Sequence, residues 1–142
     1  MADLLDGLAL HLAAKGIVTF ETAATPGGDC FIDNMPATPD EAVALTTYDD
    51  AREPDSRLGY DEPRVQVRVR GTRDPRVSRD RCKAIYAELH GLGPVTLPDG
   101  TELILAVALQ SGPAAMGTDD NGRHEHVCNF RMEHRSITAH RV

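Results

Sequence analysis

Residues 64–70 read Arg-Val-Gln-Val-Arg-Val-Arg, an unbroken alternation of valine with polar or cationic side chains. Successive side chains of a β-strand point to opposite faces, so Val65, Val67 and Val69 share one face and Gln66, Arg68 and Arg70 the other. Such a strand wants one packed face and one open face, which is how antiparallel sheets are commonly built. Residues 124–134 carry the same signature over a longer run. His124, His126, Cys128, Phe130, Met132 and His134 alternate there with Glu125, Val127, Asn129, Arg131 and Glu133. At the centre of the run the even positions are the apolar ones, so they face the core.

Two stretches follow the helical period instead. Residues 3–15 bring Leu5, Leu8 and Leu12 to one side, and Gly16 after Lys15 supplies a C-cap with a cation in the last turn. Asp74-Pro75 opens a second helix with Asp as N-cap and Pro at the first helical position, Ser78 being a competing cap. Cys82, Ile85, Tyr86 and Leu89 then form one face, closed by Gly91. Short strands are expected at 17–20, 30–32 and 42–45. Residues 95–97 and 103–109 read as a hairpin around Pro98-Asp99-Gly100. The run 103–109 is apolar on both faces, which places it centrally in the sheet. Residues 22–29 and 111–122 are turn-rich connections, and 136–142 a polar tail.

The order helix, strands, helix, strands predicts an α+β fold: a mostly antiparallel β-sheet with two α-helices packed against it. A length of 142 residues predicts one domain over 1–142. The expected core gathers Val65, Val67, Val69, Ile85, Leu89, Leu105, Val107, Phe130 and Met132. Residues 49–63 stand apart. They carry Asp49, Asp50, Glu53, Asp55, Asp61 and Glu62 against Arg52 and Arg57, and their only large apolar groups are Leu58 and Tyr60. This loop is expected to be mobile in a lone subunit, because it has little to bury against its ordering cost.

Charge and composition narrow the function. Lys and Arg number 15 against 22 Asp and Glu, a formal net charge of −7. An acidic chain does not hold nucleic acid through its net field. Aromatics make up 4% with no Trp, so no base-stacking platform is expected either. Three cysteines without a Cys-x-x-Cys pair argue against a disulfide framework or zinc module and point to synthesis in a reducing cytoplasm. No apolar run approaches the ~20 residues of a membrane span. Asp3 and Asp6 occupy the place where a secretion signal would be basic.

His124-x-His126 is the strongest candidate for chemistry. Two residues apart on a strand, the imidazoles stand ~6.6 Å from each other on one face, within reach of a shared zinc ion. Cys128 lies on the same face but ~13 Å from His124 by the same rise, too far for a third ligand. Asp119-Asp120-Asn121-Gly122 resembles part of a calcium loop, but its first and twelfth positions would be Gly117 and Cys128, which offer no carboxylate. A tight Asn-Gly turn is the simpler reading. Cys30, Cys82 and Cys128 sit in apolar patterns as buried thiols. No nucleophile elbow, phosphate loop or dinucleotide fingerprint occurs. No catalytic residue, metal or cofactor is expected. The polar face of 64–70 is either solvated or a subunit interface.

Taken in order, LLDGLALHLAAKG, MPATPDEAVALTTY, VQVRVRG, CKAIYAELHGL and GTDDNGRHEHVCNFRMEHR span residues 4–135. This order resembles the tail terminator proteins of long-tailed bacteriophages, also labelled minor capsid proteins. The resemblance implies a sheet flanked by helices and a homo-oligomer, a six-fold ring. That ring would sit at the head–tail junction of the virion, cap the head-proximal end of the tail tube, stop its polymerisation and meet the head connector of the neck. It implies no catalytic residues. DNA would pass through the lumen without specific binding, for which net negative charge is the right sign. A closed ring needs two different complementary surfaces, and loops 49–63 and 110–123 are the candidates. The expected interface residues are Gln66, Arg68, Arg70, Leu58, Tyr60, Asp119, Asp120 and Arg123. Two other readings stay open: another head–tail connector component, or a small metal-dependent hydrolase or ligand-binding domain built around His124 and His126.

Overall fold

The two alternating segments form the middle of the sheet. In the computed structural model, which describes residues 3–22, 27–49 and 52–142, they are β4 (Arg64–Arg70) and β8 (His124–Arg135). The elements before β4 are α1 (Leu4–Ala14), β1 (Cys30–Ile32), β2 (Ala42–Tyr48) and β3 (Tyr60–Asp61). Between β4 and β8 come α2 (Pro75–Leu89), β5 (Val95–Thr96), β6 (Glu102–Ala108) and β7 (Ala114–Thr118). Residues 23–26 of the expected connection 22–29 and residues 50–51 of the acidic loop lie outside the described residues. The sheet runs β1-β2-β4-β8-β6-β5, with β3 and β7 also paired to β8. Among the described residues only β1 and β2 pair in parallel. The fold is α+β, as the pattern predicts.

Register explains where the core lies. Val43 stands opposite Val69, which stands opposite His126; Leu45, Val67 and Cys128 form the next row. Val65 and Phe130 form another. These side chains point to one face, and both helices cover it. Helix α1 packs over β1 and β2 through Leu8 and Leu12, and α2 over β4, β8 and β6 through Cys82, Ile85 and Leu89. Each helix starts where the sequence says. Asp3 accepts from the Leu5 and Asp6 amides, and Asp74 accepts from the Arg76 amide with Pro75 at the first position. Ser78, the rival cap, turns inward to His126 instead, with 2.7 Å between its Oγ and Nδ1.

Four expectations need correction. Residues 17–20 form an irregular connection rather than a strand; the Thr19 carbonyl accepts from the Asp29 and Cys30 amides. The segment 111–122 is not all loop, since β7 pairs with the start of β8. Strand β6 lies between β8 and the short β5, and the middle of the sheet is β4 and β8. Finally, Leu105 and Val107 are not in the core. Leu103 faces His134 while Leu105 faces Glu133, so one extra residue is inserted and the alternation inverts. Leu103 and Ala106 are buried, whereas Leu105 is 37% exposed. Gly93 makes room for this bulge. A Cβ there would sit 2.1 Å from the Ile104 carbonyl oxygen, at a φ of +127°.

Candidate assembly surfaces

The polar face of β4 is half-buried at Arg64, Gln66 and Arg68 and buried at Arg70. Gln66 donates to Asn129 on β8 at 3.4 Å, and Arg68 pairs with Glu125 at 2.5 Å. That carboxylate raises the Arg68 pKa, although burial opposes it. Arg70 behaves differently. It is 4% exposed and donates to the carbonyls of Pro36, Pro39 and Asp40 at 2.7, 2.7 and 3.0 Å. Burial and the nearby Arg123 push its pKa down. Arg123 is also buried, with donors to Asp119 (2.8 Å), Asp40 (3.0 Å) and the Ala37 carbonyl (2.7 Å). The two guanidinium groups therefore fasten the segment 36–40 against the sheet. Alternation shows which face Arg70 takes, but not that a proline-stiffened loop folds back over it.

The turn 119–123 is built as an Asx motif. Asp119 accepts from the Asn121 and Arg123 amides at 3.0 and 2.9 Å, and these bonds with Arg123 hold its pKa low. Gly122 supplies the positive φ of +74°. Asp120 is exposed beside it. His126 is 6% exposed and bonded to Ser78; burial first, then the charge of Arg79, depress its pKa. Among the described residues no group of three or more His, Cys, Asp or Glu is placed to hold a metal ion. The three cysteines are free and buried, with 3.4 Å between the Cys82 and Cys128 sulfurs.

At the opposite end of the strands, the acidic loop meets the polar tail. Gly59 and Val142 are joined through the Gly59 amide and the Val142 carbonyl at 2.6 Å, and the Val142 amide reaches the Arg57 carbonyl at 3.0 Å. Arg141 donates to Asp61 at 2.9 Å and to the Tyr60 carbonyl at 2.7 Å. Arg135 lies 4.9 Å from the centroid of the Tyr60 ring and donates to its hydroxyl. Asp55 accepts from the Arg57 and Leu58 amides, which lowers its pKa; Arg141 does the same for Asp61. Sequence reasoning sought the loop's partners on a neighbouring subunit; the structure supplies a set from residues 135–142 of the same chain. Tyr60 is half-buried, and Leu58 remains 54% exposed.

This clasp forms one wall of a groove of about 980 Å³. Its apolar lining includes Leu4, Leu5, Ile32, Tyr48 and Leu58. Carboxylates converge on it from five segments: Asp3 before α1, Asp33 after β1, Asp49 after β2, Glu53, Asp55, Asp61 and Glu62 around β3, and Glu133 of β8. Among the described residues Arg52 is the one arginine in the lining, and no lysine joins it. Among the same residues this is eight carboxylates against one arginine, an excess of seven negative charges. Sequence reading missed this convergence, because Asp3, Asp33 and Glu133 join it from outside the acidic loop.

The second missed feature has a legible signal. Arg76, Arg79 and Lys83 stand at i, i+3 and i+7 on α2, opposite the buried Ser78, Cys82, Ile85 and Leu89. All three are exposed, and so is Arg73 just before the helix. The molecule thus has a basic stripe near one end of β4 and an acidic groove at the other.

The sequence profile of one family, described as bacteriophage tail terminator protein, matches residues 11–134. No curated protein matches the chain.

Proposed function

From the chain's place in the bacteriophage tail terminator family, to which it belongs, we propose that it forms a ring on the head-proximal end of the tail tube. It is a virion component of a structural family, with no helix among the described residues long and apolar enough to cross a membrane. In the proposed role the whole chain acts as one domain. Six copies close the ring, stop tube polymerisation and present a surface to the head connector. The observation that carries this reading is the family match over most of the chain.

Physical chemistry supports the parts of the role. Closed rings use head-to-tail contacts between two different surfaces, and the two ends of this sheet differ in shape and charge. A net charge of −7 per subunit leaves DNA unretained in the lumen, since phosphate binding depends on clustered cations. The test is electron microscopy of particles made without this chain. Tubes of uncontrolled length, unattached to heads and corrected by supplying the chain in trans, are the expected result. Tails of normal length joined to heads would overturn the proposal.

A further inference from the structure

We propose that the acidic groove of one subunit receives the basic stripe of α2 from a second copy of this chain, head to tail. The inference rests on the ring reading above and supplies the contact that would close it. The groove gathers eight carboxylates against Arg52, over a partly apolar floor. Some of that charge is answered locally, as Asp61 is by Arg141 and Glu62 by Arg52 and Arg131. Asp33, Glu53 and Glu133 make no ion pair among the described residues. A groove of this kind selects a partner that brings cations on a surface able to cover Tyr48 and Leu58.

The α2 stripe has that chemistry. Arg76 and Arg79 each have one carboxylate, Asp74 at 2.9 Å and Asp80 at 3.4 Å, while Arg73 and Lys83 have none among the described residues. The stripe therefore keeps an excess of positive charge. The same face carries Ala84 and Ala87, both exposed and small enough to let the helix approach closely. From Arg76 to Lys83 the helix rises only ~10 Å, so one groove spans the stripe. The two surfaces cannot meet within one chain. Ser78 of α2 lies against Gly71 and His126, beyond the last residue of β4, whereas the groove opens where β4 begins. Seven strand residues, ~23 Å, separate those ends. Their pairing takes two copies, and set head to tail around a ring it is heterologous.

Charge reversal tests the contact. One variant carries Glu53→Lys and Glu133→Lys in the groove; the other carries Arg76→Glu, Arg79→Glu and Lys83→Glu on α2. Both are assayed as full chains by sedimentation, alone and on terminator-free tails, beside thermal melting to confirm folding. Each variant alone should associate at least ~100-fold more weakly than the wild type, because like charges across an interface cost several kcal/mol. An equimolar mixture should restore part of the assembly, because in an alternating ring the two introduced lysines meet the carboxylates of the reversed stripe. Wild-type association of both variants overturns the proposal, as does a mixture of folded variants that stays dissociated. If only the groove variant fails, the occupant is a different protein and the second-copy assignment falls. A wild-type chain that never self-associates, on tails or off them, also defeats it. The terminator reading falls separately, on normal tails made without the chain.

Discussion

The two ends of the β4–β8 pair hold similar ingredients in opposite arrangements. At one end Arg70 and Arg123 are buried and turn donors inward, to the carbonyls of 36–40 and to Asp40 and Asp119. At the other end the carboxylates outnumber the cations and line an open groove. Polar groups satisfied inside the subunit fix its shape, since a buried donor or acceptor left unpaired is costly. Polar groups left in excess at a concave surface are free to recognise something else. Under the proposed contact, the difference separates charge that serves the fold from charge that serves association.

The comparison is anchored by the residue between the ends. Phe130 is fully buried at the middle of β8. Phe130→Ala should cost about 3–5 kcal/mol in urea unfolding, whatever happens at either end. A loss below about 1 kcal/mol would remove the common core on which both ends are built. Next in size is Arg70→Met. It leaves three carbonyls without their donor in a partly covered site and should cost about 2–3 kcal/mol. Arg141→Met at the groove end should cost less in the same assay, because its carboxylate partner Asp61 keeps a 31% exposed side chain that water can solvate. Equal losses would break the distinction between the ends.

Acid titration probes both ends through histidines of like sign. Burial is the first cause holding the pKa values of His126 and His134 below the usual 6.5. For His126 the charges of Arg79 and His124 add to it; for His134, Asp61 and Asp3 oppose it. The unfolded chain takes up these protons near pH 6.5, and the folded chain resists them. Stability should therefore fall as pH drops below about 6.5 and level off once the folded-state pKa values are passed. His126→Gln and His134→Gln should each flatten the slope. Urea titrations between pH 7 and 5 decide it, and a slope unchanged in both variants would contradict the burial of these rings.

How far the sequence reveals these features depends on whether the cause is local. Strand β4 and helix α2 were legible to within a residue, because alternation and an Asp-Pro cap act between near neighbours. The Asp119 turn was legible for the same reason. Strand β7 was not: Ala-Ala-Met-Gly-Thr has no alternation and is a strand only because β8 pairs with it. The bulge at Ile104 depends on Gly93, which approaches from another segment. Arg70 was placed on the correct face, yet the loop that buries it lies some thirty residues away. The groove is assembled from segments as distant as Asp3 and Glu133, so no window of sequence contains it.

The smallest effect is the sharpest test of what distinguishes the groove end. Exposed substitutions ordinarily change stability within about 0.5 kcal/mol, and Glu53→Gln with Glu133→Gln should stay in that range. Its sign carries the information. Removing two charges from a self-repelling cluster should stabilise the lone subunit slightly at low salt, whereas removing half of a useful ion pair would destabilise it. Salt separates the two cases. The Debye length is ~30 Å at 0.01 M and ~3 Å at 1 M, so added salt should raise the melting temperature of the wild-type subunit by screening the groove. The double variant should respond less. Association should move the other way, weakening with salt if the groove is answered by cations of a neighbour. A wild-type subunit whose melting temperature falls with salt would mean that the carboxylates are already paired within the chain, and the two ends would then differ in exposure but not in purpose.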